Sequence, residues 1–186
     1  MSYSDGNQWV TPFILRKEGL LVIRKASLED IPALQKIYND AVLHTTATYD
    51  TEIKDYADRL RWYEQHETEP YVLFVEEIDK TVAGYASLSQ YRERRAFDPS
   101  VEISVYVDEA FQNQGVGSSL MKAVLDYAKN QKRIHTVVSL ITSENEHSIY
   151  LHEKLGFSYC GKIKDAGYKF GKWVDLSIYQ IIYQRE

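Results

Sequence analysis

Sulfur is scarce in this chain: 186 residues carry one cysteine, Cys160, and two methionines. One cysteine excludes an internal disulfide framework and fits a reducing, cytoplasmic compartment. No ligand pattern surrounds Cys160, so a buried, inert thiol is expected there. No apolar run is long enough to span a bilayer, so no membrane partner is expected. The opening "MSYSDGNQWVTPF" has neither a basic n-region nor an apolar h-region and does not read as a secretion signal. Positive charge is in deficit, with 22 Lys and Arg against 27 Asp and Glu and a net charge of −5. A nucleic-acid partner, which needs a basic footprint, is therefore not expected. The five histidines, His44, His66, His135, His147 and His152, show no ligand spacing with cysteine or carboxylate partners, so no metal is expected.

Repeats, low-complexity tracts and linkers are absent too. Residues 1–19 read as an N-terminal extension, and 20–186 as a single α+β domain with a real core. "LLVIRK" is a strand. Ser27 and Asp30 form a capping pattern ahead of a helix whose apolar stripe is Ile31, Leu34, Ile37, Tyr38, Ala41 and Val42. "TTATYDTEIKDYADRLRWYEQHE" runs through a loop into a second helix. "YVLFVEEIDKTVAGYASLSQY" is a hairpin around Asp79-Lys80. "SVEISVYV" alternates Val101, Ile103, Val105 and Val107 with Glu102, Ser104 and Tyr106. A helix with Val116, Leu120, Val124 and Ala128 at intervals of four follows. "HTVVSLIT" is a strand, a short helix covers about 148–155 with Gly156 as its terminal glycine, and at least two strands close the chain.

Between the strand ending at Val107 and the helix lies "QNQGVGSS". Small residues let backbone approach a ligand, and free amides at a helix N-terminus favour anionic oxygens. No lysine follows Gly117, which excludes a P-loop, and the third glycine of a dinucleotide fingerprint is missing. A plain glycine turn and a phosphate cradle both remain open on these residues alone.

"QNQGVG" matches the [Q/R]-x-x-G-x-[G/A] signature of the GNAT superfamily of acyl-CoA N-acyltransferases, and "NEHSIYLHEKLGF" resembles that superfamily's second signature. The two stand in the family's order, separated by a helix and a strand. "IYNDAV…TTATYD", "VAGYASL…YRERRAFDPSVEISVYV" and "GYKFGKWVDL" resemble its phosphinothricin / methionine sulfoximine acetyltransferase branch, over roughly residues 21–180.

The resemblance implies a GNAT fold: a mixed central sheet of about seven strands, about four flanking helices, and a splayed strand pair that binds the cofactor, with the splay at a bulge. It implies acetyl-CoA as donor. The loop from Gln112 through Gln114, Gly115, Val116, Gly117 and Ser118 to Ser119 would hold the pyrophosphate. The strand backbone at Val105, Tyr106, Val107 and Asp108 would serve the pantetheine arm and thioester, with Asn145 and Lys154 from the second signature. Asn145 is equally a helix-cap residue by pattern. Glu102 resembles the family's base, and a charged residue on a solvated strand face is the plain alternative. His152 stands where many members carry an acidic Tyr; it is an acid, a second base, or a helix residue satisfied by a carbonyl.

Arg92 matches the branch's acceptor-site arginine, although Tyr91 and Glu93 replace its Trp and Pro, and Arg94 and Arg95 lie beside it. Tyr49, Lys169, Phe170 and Trp173 match branch positions that line the acceptor pocket or a dimer contact. Together these imply a small-molecule amine acceptor of the amino-acid type and a homodimer. Two rivals are a transferase for another primary amine and a non-catalytic acyl-CoA sensor. A polyamine site would need carboxylates where arginines stand, and a sensor would lose Glu102.

Overall fold

The computed structural model describes residues 14–16 and 19–184, with side chains from 21 onward. Strand β1 (Ile14–Arg16) pairs with β2 (Gly19–Lys25), so part of the segment assigned to an extension joins the sheet. Residues 1–13 lie outside the described residues. A 3₁₀ turn, in which Asp30 accepts from the Ser27 backbone amide at 2.8 Å, leads into α1 (Ile31–His44), with Pro in its first turn. Helix α2 (Tyr56–Glu64) follows, then β3 (Val72–Ile78) and β4 (Thr81–Gln90). Asp79 and Lys80 join these two with φ of 48° and 66°. Positive φ at both central residues matches the right-handed twist of the flanking strands.

Strand β5 (Ser100–Val107), α3 (Val116–Asn130) and β6 (Thr136–Thr142) form a βαβ unit. After α4 (Glu146–Lys154) the chain closes with the hairpin β7 (Ser158–Lys169) and β8 (Lys172–Ile182). Among the described residues the sheet has eight strands, in the order β1-β2-β3-β4-β5-β6-β8-β7. The expected seven are β2–β8, with β1 added at one edge. Every neighbouring pair is antiparallel except β5–β6.

Two apolar layers sandwich this sheet. On one face α3 packs Val116, Leu120, Met121, Val124 and Ala128 against Val101, Ile103 and Val137. Each of these α3 side chains is at most 1% exposed. Burying an aliphatic side chain of this size contributes roughly 1.5–3 kcal/mol. On the other face Ile31, Leu34 and Ile37 of α1 and Tyr63 of α2 cover Leu73, Val75 and Tyr85. Strand alternation divides β5 between the layers: Val101 and Ile103 go to α3, while Glu102, Ser104 and Tyr106 go to the α1–α2 side.

One expectation fails in the closing hairpin. Strand β7 is the sheet edge, so the Cys160 thiol is exposed rather than buried.

Candidate active site

Strand β5 is held along its whole length on one side only. Its ladder with β4 runs unbroken from Gly84↔Val107 to Gln90↔Val101. Its parallel ladder with β6 covers Ser100↔Thr136 to Glu102↔Val138 and then stops. Beyond that point the strands diverge around a wedge of about 50 Å³, lined by Ile103–Tyr106, Ser139–Thr142, Asn145, Ser148 and His152. The expected bulge is not the cause, because the β4–β5 register has no shift.

The register decides which backbone groups are open. The Asp108 amide donates to the Ala83 carbonyl at 2.9 Å, and the Asp108 carbonyl accepts from Phe111 at 2.9 Å. In an antiparallel ladder such pairs recur every second residue. Tyr106, Ser104 and Glu102 therefore also turn their amides and carbonyls toward β4. Ile103, Val105 and Val107 turn theirs to the divergent edge. This corrects the expectation for Tyr106 and Asp108, whose backbone is already paired, and leaves Val105 and Val107 as the strand residues able to pair with an extended ligand. Gly84 permits the tight crossing: a Cβ there would sit 2.8 Å from the Tyr106 carbonyl oxygen.

At the same end of β5, residues 108–115 turn into α3. Gly115 is the N-cap at φ 85°, and Asn113 is also left-handed at φ 60°. Gln114 folds back, its side-chain amide donating to the Ala110 carbonyl at 3.0 Å, and Gln112 is exposed. The first-turn amides of a helix have no intrahelical acceptor, so Val116, Gly117 and Ser118 point theirs outward. A Cβ at Gly117 would make only ordinary 3.6 Å contacts, so alanine fits there. Ser119 leaves the cradle: its amide donates to Gly115 and its hydroxyl to the fully buried Glu76 carboxylate. This end of the wedge fits a phosphate-bearing ligand with an extended amide arm, held mainly by backbone.

Glu102 sits at the point of divergence and lines neither cavity itself. It faces the α1–α2 layer opposite Ser89 on β4. Burial raises its carboxyl above the ordinary carboxylate range, and the Arg92 guanidinium draws it part-way back. Beside it opens a cleft of about 1020 Å³ whose wall includes Trp62, His66, Ser89, Arg92 and Arg94. Arg92 is exposed, with its guanidinium 4.9 Å from the Tyr91 ring centre. A partly desolvated carboxylate beside an arginine-rich cleft suits proton removal from a ligand that carries an amine and an acid group.

His152 is 2% exposed. Its Nδ1 lies 2.7 Å from the Ser148 carbonyl, which only accepts, so Nδ1 carries the proton. Burial lowers the imidazole pKa, opposed by that hydrogen bond, so the ring is neutral near pH 7. Its Nε2 then accepts from the Ser139 hydroxyl at 2.8 Å. Neither side of this pair offers the wedge a proton. The general-acid expectation for His152 gives way to the alternative, a helix residue satisfied by a carbonyl. Asn145 likewise caps α4, accepting from the Ser148 amide at 3.0 Å, and its side-chain nitrogen is the half left for a ligand. Lys154 is exposed, its ammonium 5.8 Å from the Tyr150 ring centre.

Three of the expected acceptor residues are engaged elsewhere and line neither cavity. Lys169 is 4% exposed and donates to the Thr48 carbonyl at 2.8 Å. The Tyr49 hydroxyl donates to the Asp175 carbonyl at 3.0 Å, and its ring fills the space a side chain at Gly167 would need. Trp173 packs edge-on against Tyr168 and is 62% exposed. Lys169 and Tyr49 fasten the 45–50 loop to the β7–β8 hairpin.

Two residues of the cleft escape sequence reasoning, His66 and Ser89. The available signal was Trp62 four residues before His66 at the end of a helix, a spacing that lets the ring reach back to the Trp62 carbonyl.

An acetyltransferase (GNAT) domain model matches residues 23–178. The L-methionine sulfoximine/L-methionine sulfone acetyltransferase of Salmonella typhimurium is 39% identical over 87% of this chain and 94% of its own. A phosphinothricin N-acetyltransferase of Streptomyces coelicolor is 34% identical over 85% and 94%. An acetyltransferase from Salmonella typhimurium, solved with its cofactor acetyl-CoA, superposes with a TM-score of 0.85 at 38% identity, covering 89% of this chain and 95% of that one.

Proposed function

The chain belongs to the GNAT acetyltransferase family, and on that premise we propose that it transfers acetyl from acetyl-CoA to the α-amine of a small amino-acid-like acceptor of the methionine sulfone, methionine sulfoximine or phosphinothricin type. Such acetylation would detoxify glutamine-synthetase inhibitors in the cytoplasm. The observation that carries the reading is the divergence of β5 from β6 immediately after Glu102, which sets open backbone and a base side by side.

Acetyl-CoA supplies an activated acetyl thioester. The amides of Val116, Gly117 and Ser118 receive its pyrophosphate, and the backbone of Val105 and Val107 and the Asn145 side-chain nitrogen receive its pantetheine arm. The Val105 amide, turned to the wedge, donates to the thioester oxygen. Glu102 takes the ammonium proton of the acceptor, directly or through a water, and its raised pKa makes it a better base. The freed amine bonds to the thioester carbon, the C–S bond breaks, and the departing CoA thiolate takes up the second proton that the nitrogen sheds. Arg92 clamps the acceptor carboxylate in bidentate fashion.

The test is CoA release across a panel of methionine sulfone, methionine sulfoximine, phosphinothricin, glutamate and spermidine. Saturable turnover with the first three supports the acceptor class. Turnover confined to spermidine or glutamate overturns it.

A homodimer fits the exposed aromatic face of the closing hairpin, where Tyr159, Tyr168, Phe170 and Trp173 are each more than half exposed. Sedimentation of the full chain as a monomer at micromolar concentration would overturn this.

A further inference from the structure

His66 ends its helix by folding back: Nδ1 lies 2.7 Å from the Trp62 carbonyl oxygen, one of the last-turn carbonyls that the helix leaves without an amide. That oxygen only accepts, so Nδ1 holds the proton. His66 is 8% exposed, and burial pulls its pKa down to about 4, with the Arg59 charge adding to the effect. The imidazole is thus neutral, and Nε2 carries a bare lone pair. Ser89 Oγ lies 2.9 Å from it and must be the donor. Its single proton is spent, so Ser89 has only lone pairs to offer elsewhere.

Those lone pairs border the arginine-lined cleft. Ser89 stands directly opposite Glu102 in the β4–β5 ladder, and side chains of a cross-strand pair share one face, roughly 5 Å apart at Cβ. The charged groups around this pair are Arg59, Arg92 and Glu102.

We infer that Ser89 is an amine-positioning group: its oxygen, locked by His66 as a pure hydrogen-bond acceptor, receives an N–H of the acceptor's amine while Glu102 receives another. The selectivity lies in what Ser89 cannot do. A freely rotating hydroxyl would also donate to the amine's lone pair once the ammonium loses its proton, and so tie up the nucleophile. With its proton held by His66, Ser89 binds the N–H and leaves the lone pair free. His66 is then a positioning residue that acts through Ser89. This rests on the transfer reaction proposed above.

The two residues should fail differently. Ser89→Ala removes an N–H acceptor and should raise KM for the amine about tenfold, the worth of one hydrogen bond to a charged group, with KM for acetyl-CoA unchanged. His66→Phe frees the Ser89 hydroxyl and should lower kcat with a smaller change in KM. His66→Gln, which can place an amide oxygen near the Nε2 position, should restore kcat toward wild type. The measurement is steady-state CoA release with the panel's best amine. A parallel competition assay uses the matching analogue that lacks the amine. Ser89→Ala should weaken the amine but leave inhibition by the deaminated analogue unchanged. Equal weakening of both, or an unchanged KM for the amine, overturns the Ser89 assignment. His66→Gln no better than His66→Phe overturns the lock. Turnover of an amine outside the proposed class defeats the acceptor reading alone, since the Ser89 comparison proceeds on that amine. Turnover of none defeats both.

Discussion

His66 and His152 are built alike and stand on opposite faces of one sheet. Each ring gives its Nδ1 proton to the carbonyl four residues back, at 2.7 Å in both cases. Each takes a proton on Nε2 from a strand serine, Ser89 at 2.9 Å and Ser139 at 2.8 Å. Burial lowers both pKa values. What differs is the space each serine borders: the arginine-lined cleft for Ser89, the β5–β6 wedge for Ser139. The same local chemistry thus yields an acceptor-only oxygen in two compartments. A buried histidine beside an active site need not be its acid or base; it can fix the direction of a neighbour's hydroxyl.

Glu102 lies between the two compartments, and its loss should stop turnover while leaving the donor side able to bind. Glu102→Gln is expected to lower kcat by about a thousandfold, within the range for removing a general base. Acetyl-CoA affinity by calorimetry should stay as in the wild type. The acidic limb of the kcat/KM profile should vanish with it. In the wild type that limb should lie above the usual carboxylate range, because the carboxyl must be ionised to act and burial raises its pKa.

Acid should separate folding from catalysis. The His66 pKa falls from an ordinary 6.5 to about 4 on folding, so between these values the unfolded chain binds more protons and stability drops as pH falls. Between pH 7 and pH 5 the loss from this one group is about 2 kcal/mol, read from urea midpoints. His66→Gln should flatten that dependence. His152→Gln should flatten it in the same direction, and a variant that steepens it would contradict the shared neutral state.

The serines sharpen the contrast further. Ser139→Ala should raise KM for acetyl-CoA by severalfold and spare the amine, the reverse of Ser89→Ala, because one amide–hydroxyl bond contributes roughly 0.5–1.5 kcal/mol. A raised KM for the amine would mean the wedge and the cleft are not separate. The smallest effect belongs to Ser148→Ala. Its hydroxyl lies 3.3 Å from His152 Nδ1, a contact without a counterpart at His66, and its loss should cost less than about 1 kcal/mol by chemical denaturation.

How much of this was legible in the sequence depends on the scale of the pattern. Elements with strong periodicity, α3 and β5 above all, are where the alternation of Val101, Ile103 and Val105 and the four-residue stripe from Val116 placed them. Gly115 announced its left-handed turn because few other residues adopt it. Ser119 was placed in the pyrophosphate loop, yet its amide donates to the Gly115 carbonyl, because where α3 begins decides which amides stay open. The backbone of Tyr106 and Asp108 was misassigned because its direction depends on ladder parity, which only the register fixes. Tyr49 and Lys169 look like pocket residues by type, yet long-range packing spends their polar ends on Asp175 and Thr48. His66 and Ser89 are 23 residues apart, and only the fold makes them a pair.

The alternation of β5 carries a consequence for descent. On the function proposed above, donor recognition would fall to the main chain of its odd residues, which a point mutation barely alters. Acceptor recognition would fall to even-numbered side chains and their cross-strand partners, which a point mutation alters freely. A lineage using this strand can exchange one acceptor for another by single substitutions while keeping its donor. A one-residue deletion within β5 would swap the two ledgers and lose both at once.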